Sequence, residues 1–232
     1  MTMIRRILGI IFVALLWVTT GCSDEPEFDY GDFCEVFATY EGAEQGYATF
    51  SYCRHNDSPL LTLTAENVAS LDVDKGERLF IRYTDLGSDG GEYRRKIRLD
   101  GYTEIISDVV RSATADQIQG YTSTEIDVTS LWRSGTYLNL NSWVPFTGKR
   151  FLMMLVVDKA TLDSDTVEAE IIYDVLGETP TFERKAYASF DIANVWNRET
   201  FRVLRVKVND PTGDTYYEFT KNNSPLKIQH IG

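Results

Sequence analysis

Residues 74–83 read Asp-Lys-Gly-Glu-Arg-Leu-Phe-Ile-Arg-Tyr. A polar turn, Asp74 to Glu77, feeds directly into an alternating run. Leu79, Ile81 and Tyr83 fall on one side of an extended chain, and Arg78, Phe80 and Arg82 on the other. A period of two carried by aromatic and β-branched residues is the mark of a strand with two different faces. The pattern repeats outward from this stretch, at 33–41, 46–54 and 60–65 before it and at 92–106 after it. Between Asp85 and Glu92, the residues Gly87, Asp89, Gly90 and Gly91 make a loose hairpin turn.

Five strands in residues 31–106 is the number an OB-like barrel uses. Residues 107–124 are less apolar, carry Ser, Thr, Asp and Gln with Gly120, and read as a linker. From 125 to 232 the runs resume at 135–144, 149–158, 166–174, 184–193, 201–209 and 215–220, with turn signals such as Asp210-Pro211-Thr212-Gly213-Asp214. That spacing predicts an antiparallel β-sandwich. No helix-period segment of useful length follows residue 21, so the expected class is all-β, an N-terminal OB-like five-stranded barrel followed by a C-terminal antiparallel β-sandwich.

The N-terminus has a different character. Arg5-Arg6 precedes the apolar run Ile7–Val18, then Thr19-Thr20-Gly21 leads to Cys22. This is the order of a secretory signal, assigned to residues 1–21, and the run is shorter than the roughly 20 apolar residues that span a bilayer. Gly21-Cys22 resembles the lipobox of bacterial lipoproteins, with Thr19 where Leu is usual, and the resemblance implies a diacylglyceryl group on the Cys22 thiol. Residues 22–30 form an acidic tether through Asp24, Glu25 and Glu27. The tether resembles the acidic export signal of surface lipoproteins in some anaerobic Gram-negative bacteria. The expected location is therefore the outer membrane, lipid-anchored, at the cell surface or alternatively facing the periplasm.

The chain carries 23 basic and 35 acidic residues; loss of Arg5 and Arg6 with the signal moves the net charge from −12 to −14. Such a surface repels phosphate, so no nucleic-acid partner is expected. Of the three cysteines, Cys22 is assigned to lipid. If Gly42-Ala43-Glu44-Gln45 is a four-residue hairpin loop, Cys34 faces Cys53 and Phe37 faces Phe50. The expectation is a Cys34–Cys53 disulfide, with two buried thiols as the alternative.

Cys53-Arg54-His55 lacks a fourth spaced ligand for zinc, and neither His55 nor His230 lies in a nucleophile context, so no metal, cofactor or catalytic residue is assigned. Asp85-Leu86-Gly87-Ser88-Asp89-Gly90 opens like a calcium loop but places Lys96 where a bidentate Glu is needed, and reads as a turn. Glu168 with Glu170, and Arg94 with Lys96 and Arg98, read as solvated rows on strand faces. Trp132, Trp143 and Tyr137 read as packing residues, whereas Trp196, in the polar loop 194–199, is the candidate for an exposed ligand contact.

Gly31-Asp32-Phe33, Gly76-Glu77-Arg78 with Phe80–Tyr83, Leu131–Asn139, Ala188-Ser189-Phe190-Asp191 and Val206-Lys207-Val208, in that order and spacing, resemble the NigD-like lipoproteins. The resemblance covers nearly the whole chain after the signal. It implies an OB-like domain followed by a β-sandwich and carries no established activity or active-site motif. The expected function is that of a non-enzymatic, lipid-anchored envelope protein acting in recognition or assembly. It would be tied to the membrane by its N-terminal lipid and would meet a protein or glycan partner. The alternative is a carbohydrate- or peptide-binding accessory lipoprotein beside a transporter or bacteriocin system.

Overall fold

The computed structural model describes residues 33–66, 68, 70–221 and the backbone of 228–230; Cys22, the signal and the tether lie outside the described residues. Five strands close into a barrel: β1 (Phe33–Glu44), β2 (Tyr47–Tyr52), β3 (Leu61–Glu66), β4 (Arg78–Ser88) and β5 (Arg94–Glu104), in the order β1-β2-β3-β5-β4. Every pair is antiparallel except β3 with β5, and β4 closes back on β1. This is the OB-type arrangement that the alternation in 74–83 predicts. Leu79, Ile81 and Tyr83 point into the barrel with Ala38, Tyr40 and Phe50, while Arg78 and Phe80 leave through its wall.

The remaining strands build a two-layer sandwich. One sheet holds β6 (Ile106–Val109), β12 (Phe182–Asp191), β9 (Tyr137–Phe146) and β8 (Asp127–Ser134). The other runs β15 (Ile228–His230), β14 (Gly213–Thr220), β13 (Val203–Asp210), β11 (Thr166–Asp174), β10 (Leu152–Asp158) and β7 (Arg111–Ala113). Alternate residues such as Leu138, Leu140 and Phe190 from the first sheet meet Leu155, Val167 and Leu204 from the second in a continuous apolar core. The sheets are mixed rather than purely antiparallel, because β6 pairs with β12, β7 with β10 and β11 with β13 in parallel.

Residues 107–124 are not an unstructured linker. The chain pairs with the first sheet through β6, crosses at the buried Val110, and pairs with the second sheet through β7. It then forms the short helix α1 (Ala115–Gln119), whose Thr114 and Gln117 make a reciprocal capping box. Short edge strands keep one row of side chains in water, and for that reason their composition reads as loop. Strand β8 also lies where no strand is expected, since Thr129 and Ser130 are exposed and a bulge interrupts the ladder between Val128 and Ser130.

The β1–β2 register overturns the expected disulfide. The loop has two residues, Gln45 and Gly46, both at positive φ, and a bulge falls between Tyr40 and Gly42. Phe50 therefore faces Tyr40, and Cys34 pairs across β1–β4 with Tyr83 rather than with Cys53. Both thiols are free.

Candidate functional site at the junction of barrel and sandwich

The outer face of β1 and β4 is covered by the first sheet of the sandwich. Phe80 stacks on Tyr187 at 4.5 Å, and Phe37 packs against Trp132 at 5.0 Å and edge-on to Phe80 and Tyr187. Beside these rings Arg78, only 3% exposed, donates to Ser189 Oγ (3.2 Å), Asn139 Oδ1 (3.2 Å) and Thr39 Oγ1 (3.3 Å) and lies over the Tyr137 ring. Ser189 in turn donates to Asn139 Oδ1, and Asn139 donates to Ser134, so every group of this buried network is satisfied.

A second connection comes from the segment after β2. Asn56, whose positive φ of 48° an asparagine tolerates, accepts from Gly135 N and donates to Arg133 O. Asp57 holds the buried Arg133 guanidinium through two bonds of 2.8 Å. Arg133 also covers the ring of Trp196 at 4.0 Å.

Between these two connections lies a cavity of about 470 Å³ that both modules build. Phe37 and Trp132 give it aromatic walls, with Tyr52 and Tyr83 from the barrel, and Cys34 and Cys53 also line it. Cys53 Sγ lies 3.2 Å from Ser58 O and 3.3 Å from Asn56 O, a thiol engaged with its own loop. The hydroxyls of Tyr52 and Tyr83 are 3.4 Å apart. Burial, then the hydrogen bond to Tyr52, pushes the Tyr83 phenol well above its ordinary pKa, so Tyr83 stays a neutral donor.

Two charged side chains line the cavity. Glu35 is committed to Arg82. Arg54 is exposed, and its hydrogen bond with Tyr52 raises its pKa; among the described residues no carboxylate comes within 4.0 Å of its guanidinium. The cavity thus combines apolar ring surface with hydroxyl groups and one cation that no carboxylate touches among the described residues, Asp85 acting on it only at longer range.

Trp196 is not the exposed contact expected from its polar loop. It ends the short helix α2 (Ala193–Trp196), is 5% exposed, and packs on Phe201 at 4.9 Å beneath Arg133. Trp143 is the exposed one, at 42%, on the face of β9 between Asp127 and Lys185. Glu168 faces Arg205, and Glu170, largely buried rather than solvated, faces Lys207; Arg94, Lys96 and Arg98 face Asp89, Glu66 and Asp100 along an exposed row. Asp85 caps Gly87 N and binds Arg95, which makes the loop that opens like a calcium site a turn. Among the described residues no group of three or more metal-ligating side chains occurs.

An OB-type barrel locked onto a mixed β-sandwich, with a cavity at the seam, defines the class: a two-module all-β protein of the kind that carries binding sites at domain junctions. Residues 108–221 match the model of the NigD-like C-terminal beta sandwich domain. That match places the C-terminal module in the NigD-like family. Solved structures share the fold. A protein of unknown function from Bacteroides vulgatus is similar with a TM-score of 0.66 at 20% identity, over 84% of this chain and 92% of that one. A NigD-like immunity protein from Bacteroides caccae gives 0.54 at 17% identity, over 87% and 99%. A candidate lipoprotein from Bacteroides fragilis gives 0.59 at 12% identity, over 83% and 100%. Comparison with curated proteins finds no match.

Proposed function

We propose that this chain is a non-enzymatic recognition protein of the Gram-negative envelope, anchored in the outer membrane by lipid on Cys22, with the junction cavity as its binding site. The observation that carries the reading is the convergence of Phe37, Trp132, Tyr52 and Arg54, whose guanidinium no described carboxylate touches, at a seam held by Arg78 and Arg133. A site held by two locked modules is preorganised, and preorganisation reduces the entropic cost of binding. The anchor is supported by Gly21-Cys22 after the apolar run.

Two measurements test this. Metabolic labelling with radioactive palmitate should mark the wild-type chain and leave Cys22→Ala unlabelled and released from the outer membrane; an unlabelled wild type would remove the anchor. For the site, a photoreactive maleimide attached to Cys34 in intact cells should capture a discrete species. The same label on a cysteine at Ser164, exposed on the sandwich, should not. Equal capture at both positions, or none at Cys34, would count against the cavity as the point of recognition.

Trp143 favours a second reading. An exposed indole flanked by Asp127, Lys185 and Asn141 offers a flat apolar surface with polar groups at its rim, as a carbohydrate-binding accessory lipoprotein beside a transporter or bacteriocin system would require. Binding of soluble oligosaccharides that is lost in Trp143→Ala and retained in Arg54→Gln would decide for it.

A further inference from the structure

Resting on the cavity as the recognition site, we infer that its ligand is a small aromatic monocarboxylate, the ring laid against the aromatic wall at Trp132 and the carboxylate received by Arg54. Three features of the site lead to this class. A volume of about 470 Å³ lies at the small end of ligand pockets and admits one fused or single ring with a short side arm. Phe37, Tyr52, Tyr83 and Trp132 with Val36 make its walls more apolar than polar, so a flat apolar group gains more there than a polyol, whose hydroxyls would find few partners.

The charge of the site sets the head group. Glu35 is already paired with Arg82, and Asp57 with Arg133, whereas Arg54 lines the cavity with no carboxylate in salt-bridge contact among the described residues; Asp85, itself bound to Arg95, acts on it only through space. A guanidinium matches a planar carboxylate through two parallel hydrogen bonds, and the Tyr52 hydroxyl beside it adds a third group able to reach the same oxygens. A single cation suits a monoanion. A phosphate dianion would leave one charge uncompensated in the field of a chain that carries −12 overall. A cationic ligand would meet Arg54 head-on.

The experiment uses the full mature lipoprotein in detergent micelles, with indole-3-acetate as the probe, indole-3-acetamide as its neutral counterpart, tryptamine as its cationic one and acetate as the head group without a ring. Calorimetric titration should give indole-3-acetate a Kd on the order of 0.1–1 mM, as expected for a ligand of this size. The amide should bind about tenfold more weakly, and tryptamine and acetate not measurably. Arg54→Gln, a change at an exposed position, should bring indole-3-acetate down to the level of the amide while leaving the amide unaffected. Alkylation of Cys34 by iodoacetamide should slow on addition of indole-3-acetate in the wild type and not in Arg54→Gln. Equal affinity for acid and amide, insensitivity to Arg54→Gln, or unprotected Cys34 would overturn the ligand class. Should the photoreactive label on Cys34 still capture a species in cells, the recognition reading would survive that failure; should it capture nothing, both would fall together.

Discussion

Arg78 is a cation in the seam between two modules, and replacing it separates the value of its charge from the value of its bulk. Burial drives its pKa from the ordinary 12.5 down to about 10, which corresponds to about 3 kcal/mol against the charged form at neutral pH. Against this stand three hydrogen bonds from a charged donor, worth about 1.5 kcal/mol each. The contact with the Tyr137 ring adds about 1 kcal/mol, leaving a net gain of about 2–3 kcal/mol. Arg78→Met removes both sides of this balance without emptying the site. Ser189 still donates to Asn139, and Asn139 to Ser134, so of the three acceptors only Thr39 Oγ1, at a half-buried position, loses its partner and adds a small cost.

The expected loss for Arg78→Met is therefore about 2 kcal/mol, and for Arg78→Ala about 4 kcal/mol because a void is added. With a urea slope of about 2 kcal/mol per molar, the midpoints should fall by about 1 M and about 2 M. The sign of the pH dependence is fixed as well. A base whose folded pKa is lowered releases its proton first in the native state, so on this group alone the penalty is constant below about pH 10 and fades between there and 12.5. Comparison at pH 7 is therefore free of this titration. If Arg78→Met costs as much as Arg78→Ala, the charge rather than the packing dominates the seam, and the balance drawn here is wrong.

Three further outcomes follow from the same geometry. Burial outweighs the attraction of Lys207 and raises the pKa of Glu170, so the native state loses stability as pH climbs from the ordinary glutamate range through the raised value. Glu170→Gln should abolish that loss, so that in urea titrations the variant gains on the parent between pH 4 and pH 7; an unchanged difference across that range would refute it. Limited proteolysis should cut first in the turn 89–93 or the loop 175–181 and spare 106–113, where the backbone is laddered to both sheets; early cleavage within 107–113 would contradict the pairing. The protein purified without reductant should titrate two free thiols after Cys22 is accounted for, Cys34 reacting at once and Cys53 more slowly because it is half-buried and engaged with its loop; a mass lower by two hydrogens would restore the disulfide.

The barrel was legible because its strands state both faces. In 78–83 the inward row is apolar, and the outward row places Arg78 and Phe80, a buried cation and a half-buried ring, on the side where water would be the default. Sequence alternation reports that two faces differ; it does not report that a second module covers one of them. The same limit explains Trp196 and Trp143. Asn194, Asn197 and Arg198 make the surroundings of Trp196 polar along the chain, yet Phe201 and Arg133 enclose it in space, while Trp143 sits in an apolar run whose outward side no element covers.

Registers failed for a different reason. A hairpin's pairing is set by its turn, and Gly42 and Gly46 are equally able to supply the positive φ that turns the chain. The structure uses both, one in the bulge and one in the turn, which moves Cys53 away from Cys34 and leaves both thiols on the cavity wall. The candidate site is therefore a product of registers and of module docking, the two quantities that local sequence specifies least. Arg54 shows the same limit: only the docking of barrel on sandwich sets it beside Trp132 and Ser134 on one cavity wall.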